Sequence, residues 1–172
     1  MESNTHRTPA TRQSWRDIQP LPAKRAPLSL QRELTEQECE QLSYGLIPDA
    51  MEDKWFIFLE GDTLYFHRSW TGICIYQLSL KRDGDLYQVV DAFVNRVPDQ
   101  YTETNDRYDE RLLLFLIDNL LLGMNTPFPN PVDLPRDIMA GVVQHNFSGT
   151  GYKEEEAPAT FLSKLRGLLK FS

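Results

Sequence analysis

KWFIFLEGDTLYFHRSWTGICIYQLSLKRDGDLYQVVDAFVNR, Lys54 to Arg96, is the stretch that decides the fold. Aromatic and β-branched residues fill it, and the pairs Gly61-Asp62, Thr71-Gly72 and Asp83-Gly84 interrupt it. This pattern predicts four strands, Lys54–Glu60, Thr63–Trp70, Ile73–Arg82 and Asp85–Arg96, joined by two-residue turns into an antiparallel meander. Pro98 closes the last strand, because proline cannot donate to a ladder.

The turns set an expected register. Trp55 faces Arg68, Phe56 faces His67 and Lys54 faces Ser69. Across the second turn His67 faces Tyr76, Arg68 faces Ile75 and Ser69 faces Cys74. Across the third, Tyr76 faces Asp91 and Cys74 faces Phe93. Thr71 suits a mirror-type turn poorly, since a β-branched residue resists positive φ, and a bulge there would shift the register by one residue. One face then carries Trp55, Ile57, Leu59, Leu64, Phe66, Trp70, Ile73, Ile75, Val90, Ala92 and Val94, with Arg68 beside Trp55. The other carries Phe56, Phe58, Tyr65, Tyr76, Tyr87, Val89 and Phe93 around Lys54, His67, Ser69, Cys74 and Asp91.

Outward from the strands, Thr35 and Glu38 form the two ends of a capping box, and Gly45 and Pro48 stop the short helix it starts. A long helix is expected from about Glu103 to Gly123, opened by Asp106, Asp109 and Glu110 and apolar nearly all round in LLLFLIDNLLL. Prolines in Thr126 to Pro135 exclude a regular element there, and Asp137 to His145 suits a short helix. The expected fold class is α+β: a four-stranded antiparallel meander packed on one long apolar helix, with short flanking helices. The expected organisation is a disordered basic tail over residues 1–30, an α+β domain over 31–148, an acidic flexible linker over 149–158 and a C-terminal amphipathic helix over 159–172.

The chain has 172 residues, enough for one domain with a core of ordinary size. Its charge is uneven: residues 1–33 carry a net +3 and residues 34–172 a net −10. An acidic body argues against a nucleic-acid surface. The first thirty residues hold no apolar segment of the kind a secretory signal needs. The run Leu112 to Leu122 is interrupted by Asp118 and Asn119 and is too short to span a bilayer, so no transmembrane segment is expected. The two cysteines, Cys39 and Cys74, fit no metal-ligand spacing, and a reduced, cytoplasmic protein is the simplest reading. No metal or cofactor is expected, because His6, His67 and His145 are isolated and neither phosphate-binding glycine motif is present.

His67, Tyr76 and Asp91 fall in one expected cross-strand row, with about 5 Å between neighbours. Such a row suits proton transfer, with His67 as acid/base and Asp91 orienting it. It equally suits a structural hydrogen-bond ladder, the more common fate. A Ser69-His67-Asp91 triad has poor geometry, with two members two apart on one strand and no nucleophile elbow. A Cys74-His67 pair is conceivable, although a cysteine in an apolar strand is usually core. Lys54, Trp55, Arg68, Ser69, Trp70 and Tyr76 make a ligand-binding set. Its cations suit a phosphate or carboxylate, and its aromatic residues suit a small-molecule pocket. The leucine-rich Leu112–Leu122 helix and the Phe161–Phe171 segment offer surfaces for a protein partner or a second copy of the chain.

The segment LSYGLIPDAMEDKWFIFLEGDTLYFHRSWTGICIY resembles a recurring segment of small uncharacterised bacterial proteins with Met-Glu-Asp-Lys-Trp-Phe followed by Tyr-Phe-His-Arg-Ser-Trp-Thr-Gly. Some members of that family are associated with ADP-ribose-processing macro domains. The resemblance spans roughly residues 34–80 and leaves the long helix and the C-terminal segment uncovered. It implies a bacterial setting and tilts the ligand toward nucleotides or ADP-ribose. Three readings follow: a non-enzymatic binding or regulatory module for a small anionic ligand, a small hydrolase or transferase acting on a nucleotide or ADP-ribose, and a structural protein-interaction domain.

Overall fold

The computed structural model describes residues 7–129. The elements expected at Asp137–His145, over 149–158 and over 159–172 lie outside the described residues.

The architecture is α+β, dominated by one antiparallel sheet of six strands: β1 (Arg25–Pro27), β2 (Glu33–Thr35), β3 (Trp55–Glu60), β4 (Thr63–Arg68), β5 (Cys74–Asp83) and β6 (Leu86–Asn95). The order is β1-β6-β5-β4-β3, and β2 also pairs with β6. The expected four-stranded meander is therefore corrected to six strands. The ten-residue β6 is long enough for two short strands to share its outer edge, β1 against Phe93–Asn95 and β2 against Leu86–Gln88. Three-residue strands carry too little alternation to be recognised in a sequence.

Helix α1 (Glu36–Ser43) starts at Thr35, whose hydroxyl accepts from the Glu38 amide at 3.1 Å while the Glu38 carboxylate accepts from the Thr35 amide at 2.8 Å. The single long apolar helix expected at Glu103–Gly123 is not formed. Helix α2 (Asp106–Phe115) is ten residues long and passes into a π-helical segment, Leu116–Leu121. There the Asn119 side-chain amide donates to the Phe115 carbonyl at 3.2 Å and to Thr126 Oγ1, placing a side chain in the helical ladder. The first turns of α2 carry exposed Arg107 and Arg111 ahead of the apolar run. Leu112, Leu113, Leu116, Ile117 and Leu121 are buried in the domain's own core, which removes them from any interface.

Two irregularities correct the expected register. The β3–β4 pairing runs Trp55 with Arg68 and Phe56 with His67. A bulge between Phe66 and His67 then puts His67 opposite Cys74 and Tyr76 opposite Phe66. The third turn falls at Gly84-Asp85, one residue later than expected, and a second bulge separates Ser79 from Leu80. Asp91 consequently faces Ser79, and Tyr76 faces Val94. Tyr76 enters the core face, where its hydroxyl donates to Asp109 Oδ1 at 2.6 Å. Tyr101 donates to the same oxygen at 2.6 Å, and Arg96 lies 2.7 Å from Asp109 Oδ2. This enclosed carboxylate fastens α2 to the sheet. Removing one partner of such a pair costs about 3–5 kcal/mol.

The opposite face is covered by a segment expected to be disordered. Residues 7–19 cross it as a strap with one 3-10 turn, Arg12–Ser14. Ala10, Trp15 and Ile18 pack on Phe56, Phe58 and Tyr65. The Ala10 amide donates to Tyr44 O at 2.9 Å, and Arg12 pairs with Glu60 at 2.6 Å while its guanidinium stands over Phe58 and Tyr65. Further on, Leu28 and Leu30 are in the main core. The disordered-tail reading fails for residues 7–30 because their few apolar groups follow no helix or strand period. They match a finished sheet surface instead of each other.

Gly72 marks where the strap meets the β4–β5 turn. Its φ is +70°, and a Cβ there would lie 2.1 Å from the Asp17 carbonyl oxygen. Gly61 has nearly the same φ, +61°, with nothing near its missing Cβ. Gly61→Ala should lose about 1–2 kcal/mol, the ordinary cost of a left-handed residue. Gly72→Ala should lose clearly more, because the strap must also move. Urea unfolding of the two variants beside the parent protein measures the difference, and equal losses would refute tight docking of the strap.

Candidate functional site

The bulge after Phe66 determines what His67 can do. The side chain points under the strap, with Phe58 stacked at 5.7 Å and Phe56 and Tyr65 tilted beside it. Nδ1 lies 2.9 Å from the Gly72 carbonyl oxygen, which can only accept, so Nδ1 carries the proton. Nε2 is buried and has no hydrogen-bond partner among the described residues. Burial holds the imidazole below its ordinary pKa. The bond to Gly72 opposes that shift, and the nearby Arg12 charge adds to it. Asp91, expected to orient His67, is exposed on β6 opposite Ser79 and shares no row with it. The expected His67-Tyr76-Asp91 row is thus broken.

Cys74 is now the cross-strand neighbour of His67. Burial pushes its thiol up to about 12, and the thiol donates to the Tyr76 carbonyl at 3.4 Å. A thiol so far from ionising is a poor nucleophile at neutral pH. The Ser69 hydroxyl donates to the Asp53 carbonyl at 2.6 Å, and no histidine stands beside it in the register.

The expected ligand set divides between the two faces of the sheet. Trp55 is buried on the core face, stacked on Tyr76 at 5.9 Å. Arg68 lies over Trp55, 4.4 Å from the ring centroid. Burial lowers the Arg68 pKa, and the nearby Tyr101, Tyr76 and Tyr108 oppose the shift. Burial raises the Tyr76 and Tyr101 hydroxyls well above the ordinary tyrosine value. Trp55, Arg68 and Tyr76 therefore belong to the packing of the core face.

Ser69 and Trp70 join a different set. Residues Ser69–Gly72 of the turn and Ser14–Asp17 of the strap enclose a hollow of about 430 Å³. That size is ordinary for a small-ligand site. The Trp15 indole N–H donates to Ser69 O at 2.8 Å, and its ring stacks on Phe56 at 5.9 Å. The Trp70 indole N–H donates to Met51 O at 3.0 Å, although the side chain is 66% exposed. Lys54 Nζ stands 4.3 Å from the Trp70 ring centroid. Arg16 is exposed and pairs with no carboxylate among the described residues. Asp17, at φ +52°, turns the strap against Gly72.

Sequence reasoning found Lys54, Ser69 and Trp70 and missed Trp15, Arg16 and Asp17. The available signal was a tryptophan followed directly by an arginine in a segment otherwise poor in large apolar groups. A hollow of about 610 Å³ beside Gln31, Arg32, Glu33, Gln88 and Val89 is larger, but its cation is committed to Glu38 and Asp118. Among the described residues no group of three or more His, Cys, Asp or Glu could hold a metal ion, and no helix is long and apolar enough to cross a membrane. No family model, curated protein or solved structure matches the chain.

The depressed His67 pKa has a measurable consequence. As pH falls below about 6.5, the unfolded chain takes up a proton that the folded state resists. The stability due to neutral His67 is present above that value and is lost as pH falls toward the folded pKa. His67→Gln removes this titration. Between about pH 7 and 5 the parent protein should lose more stability than His67→Gln, as read from urea midpoints. Parallel losses would mean that His67 is not held neutral.

Proposed function

We propose that the chain is a non-enzymatic binding module for a small anionic ligand, with its site in the hollow between the strap and the β4–β5 turn. One observation carries this reading: Arg16, exposed and paired with no carboxylate among the described residues, lines a hollow of about 430 Å³ together with Trp15 and Trp70. The Lys54 ammonium, over the Trp70 ring, adds a second positive charge beside that indole. An aromatic wall with a few charged groups supplies contact area and orientation together.

The enzyme reading has less support. His67 commits Nδ1 to Gly72 and holds Nε2 among aromatic rings, and Asp91 is in another part of the sheet. General acid/base catalysis needs such a group within hydrogen-bond reach of substrate. The resemblance over residues 34–80 favours the bacterial cytoplasm as the setting, and nucleotides and ADP-ribose as the first anions to try.

Thermal unfolding of the full chain with pyrophosphate, AMP and ADP-ribose tests the reading. A ligand at a hundredfold its Kd adds about 2.7 kcal/mol of stability, visible as a raised Tm. Arg16→Gln should weaken binding about tenfold, the loss of one charge-assisted contact of about 1.5 kcal/mol. Arg68→Lys, on the other face, should keep the affinity. Binding lost in the Arg68 variant and kept in the Arg16 variant would move the site to the end of the sheet. No Tm shift with any anion would refute the reading.

A further inference from the structure

The two tryptophans that wall the hollow have both indole N–H groups occupied by main-chain carbonyls of the chain itself, Trp15 by Ser69 and Trp70 by Met51. The Ser69 hydroxyl is occupied by Asp53, and Thr71 Oγ1 accepts from the Ile73 amide at 3.3 Å. The turn side therefore offers a ligand ring surface and few free hydrogen-bonding groups. Trp70 is also fixed where an apolar side chain would normally be hidden. It is 66% exposed, tied through its nitrogen and accompanied by Lys54. An exposed indole held in place is a stacking platform that needs little ordering when a flat ring arrives.

We propose that this hollow takes a mononucleotide by ring and phosphate together, with little discrimination among bases; this rests on the anion-binding reading above. The ring stacks on Trp70, and the phosphate meets Arg16. Discrimination among bases requires donors and acceptors aimed at the base edge. Both indole N–H groups and the Ser69 O–H are already donated within the chain, which leaves the Thr71 O–H as the one side-chain donor of the turn still open among the described residues. Stacking is tolerant because every base has a π-face.

Isothermal titration of the full chain with AMP, GMP, ribose 5-phosphate and adenosine tests this, on the parent protein and on Trp70→Leu, Trp70→Phe and Arg16→Gln. AMP and GMP should bind within about threefold of each other. Ribose 5-phosphate should bind at least tenfold more weakly, in line with one base stacked on an aromatic ring. Trp70→Leu should reduce AMP to the level of ribose 5-phosphate and leave ribose 5-phosphate unchanged, whereas Trp70→Phe should restore most of the loss. Ribose 5-phosphate binding as tightly as AMP, with both sensitive to Arg16→Gln, would overturn the stacking role and leave the anion site standing. A large preference between AMP and GMP would overturn the base tolerance. Binding of none of the phosphates would overturn the stacking role and the anion site alike.

Discussion

The carbonyl of Gly72 receives two donors from distant parts of the chain, the Gln19 amide at 2.8 Å and His67 Nδ1 at 2.9 Å. Most of what distinguishes this molecule from a plain twisted sheet depends on that convergence. The first bond brings the strap across the β4–β5 turn, close enough that only glycine fits beside Asp17. The second fixes the imidazole tautomer and turns His67 into a support for the turn. A single peptide group thus sets both the wall of the hollow and the orientation of His67.

The two bulges have an equally concrete effect on the polar groups. Because side chains alternate with period two, a one-residue shift sends every later side chain to the opposite face. Tyr76 was expected beside His67 and instead enters the core, where its hydroxyl meets Asp109. Burial raises the Asp109 pKa, while the two tyrosines and Arg96 act to lower it. A carboxylate with no solvent exposure is tolerable only with such partners. The row expected from the sequence, for which a structural ladder was the more common fate, is divided in the folded chain: His67 and Tyr76 lie on opposite faces of the sheet and Asp91 is exposed opposite Ser79.

Legibility in the sequence followed the range of the interaction concerned. The capping box at Thr35 and Glu38 is local, and the structure forms it with both hydrogen bonds. The β3–β4 register depends on one tight turn, and its pairs Trp55–Arg68 and Phe56–His67 were legible from Gly61-Asp62. The next pairings depend on where a bulge falls, which is decided by packing on both faces of a finished sheet. The strap is the extreme case. Trp15 gains its partners Phe56 and Ser69 only through contacts more than forty residues away in sequence, so no window of neighbouring residues signals order. Of the hollow's lining, Ser69 and Trp70 were therefore visible in the sequence as site residues, and the strap residues, Arg16 among them, were not.

That division bears on how such a site works. The strap's ion pair Arg12–Glu60 has side chains 43% and 51% accessible, and an exposed pair of this kind contributes little to stability. Its attachment rests mainly on Trp15 and Ala10 covering Phe56 and Phe58, with a few main-chain bonds. A ligand seated between Arg16 and Trp70 touches the strap and the turn at once. Whatever free energy it gains from having both walls present must, by linkage, be returned as tighter docking of the strap. On the proposed reading, occupancy of the hollow and coverage of the aromatic face beneath the strap form one equilibrium, because both require the strap to be docked against the β4–β5 turn.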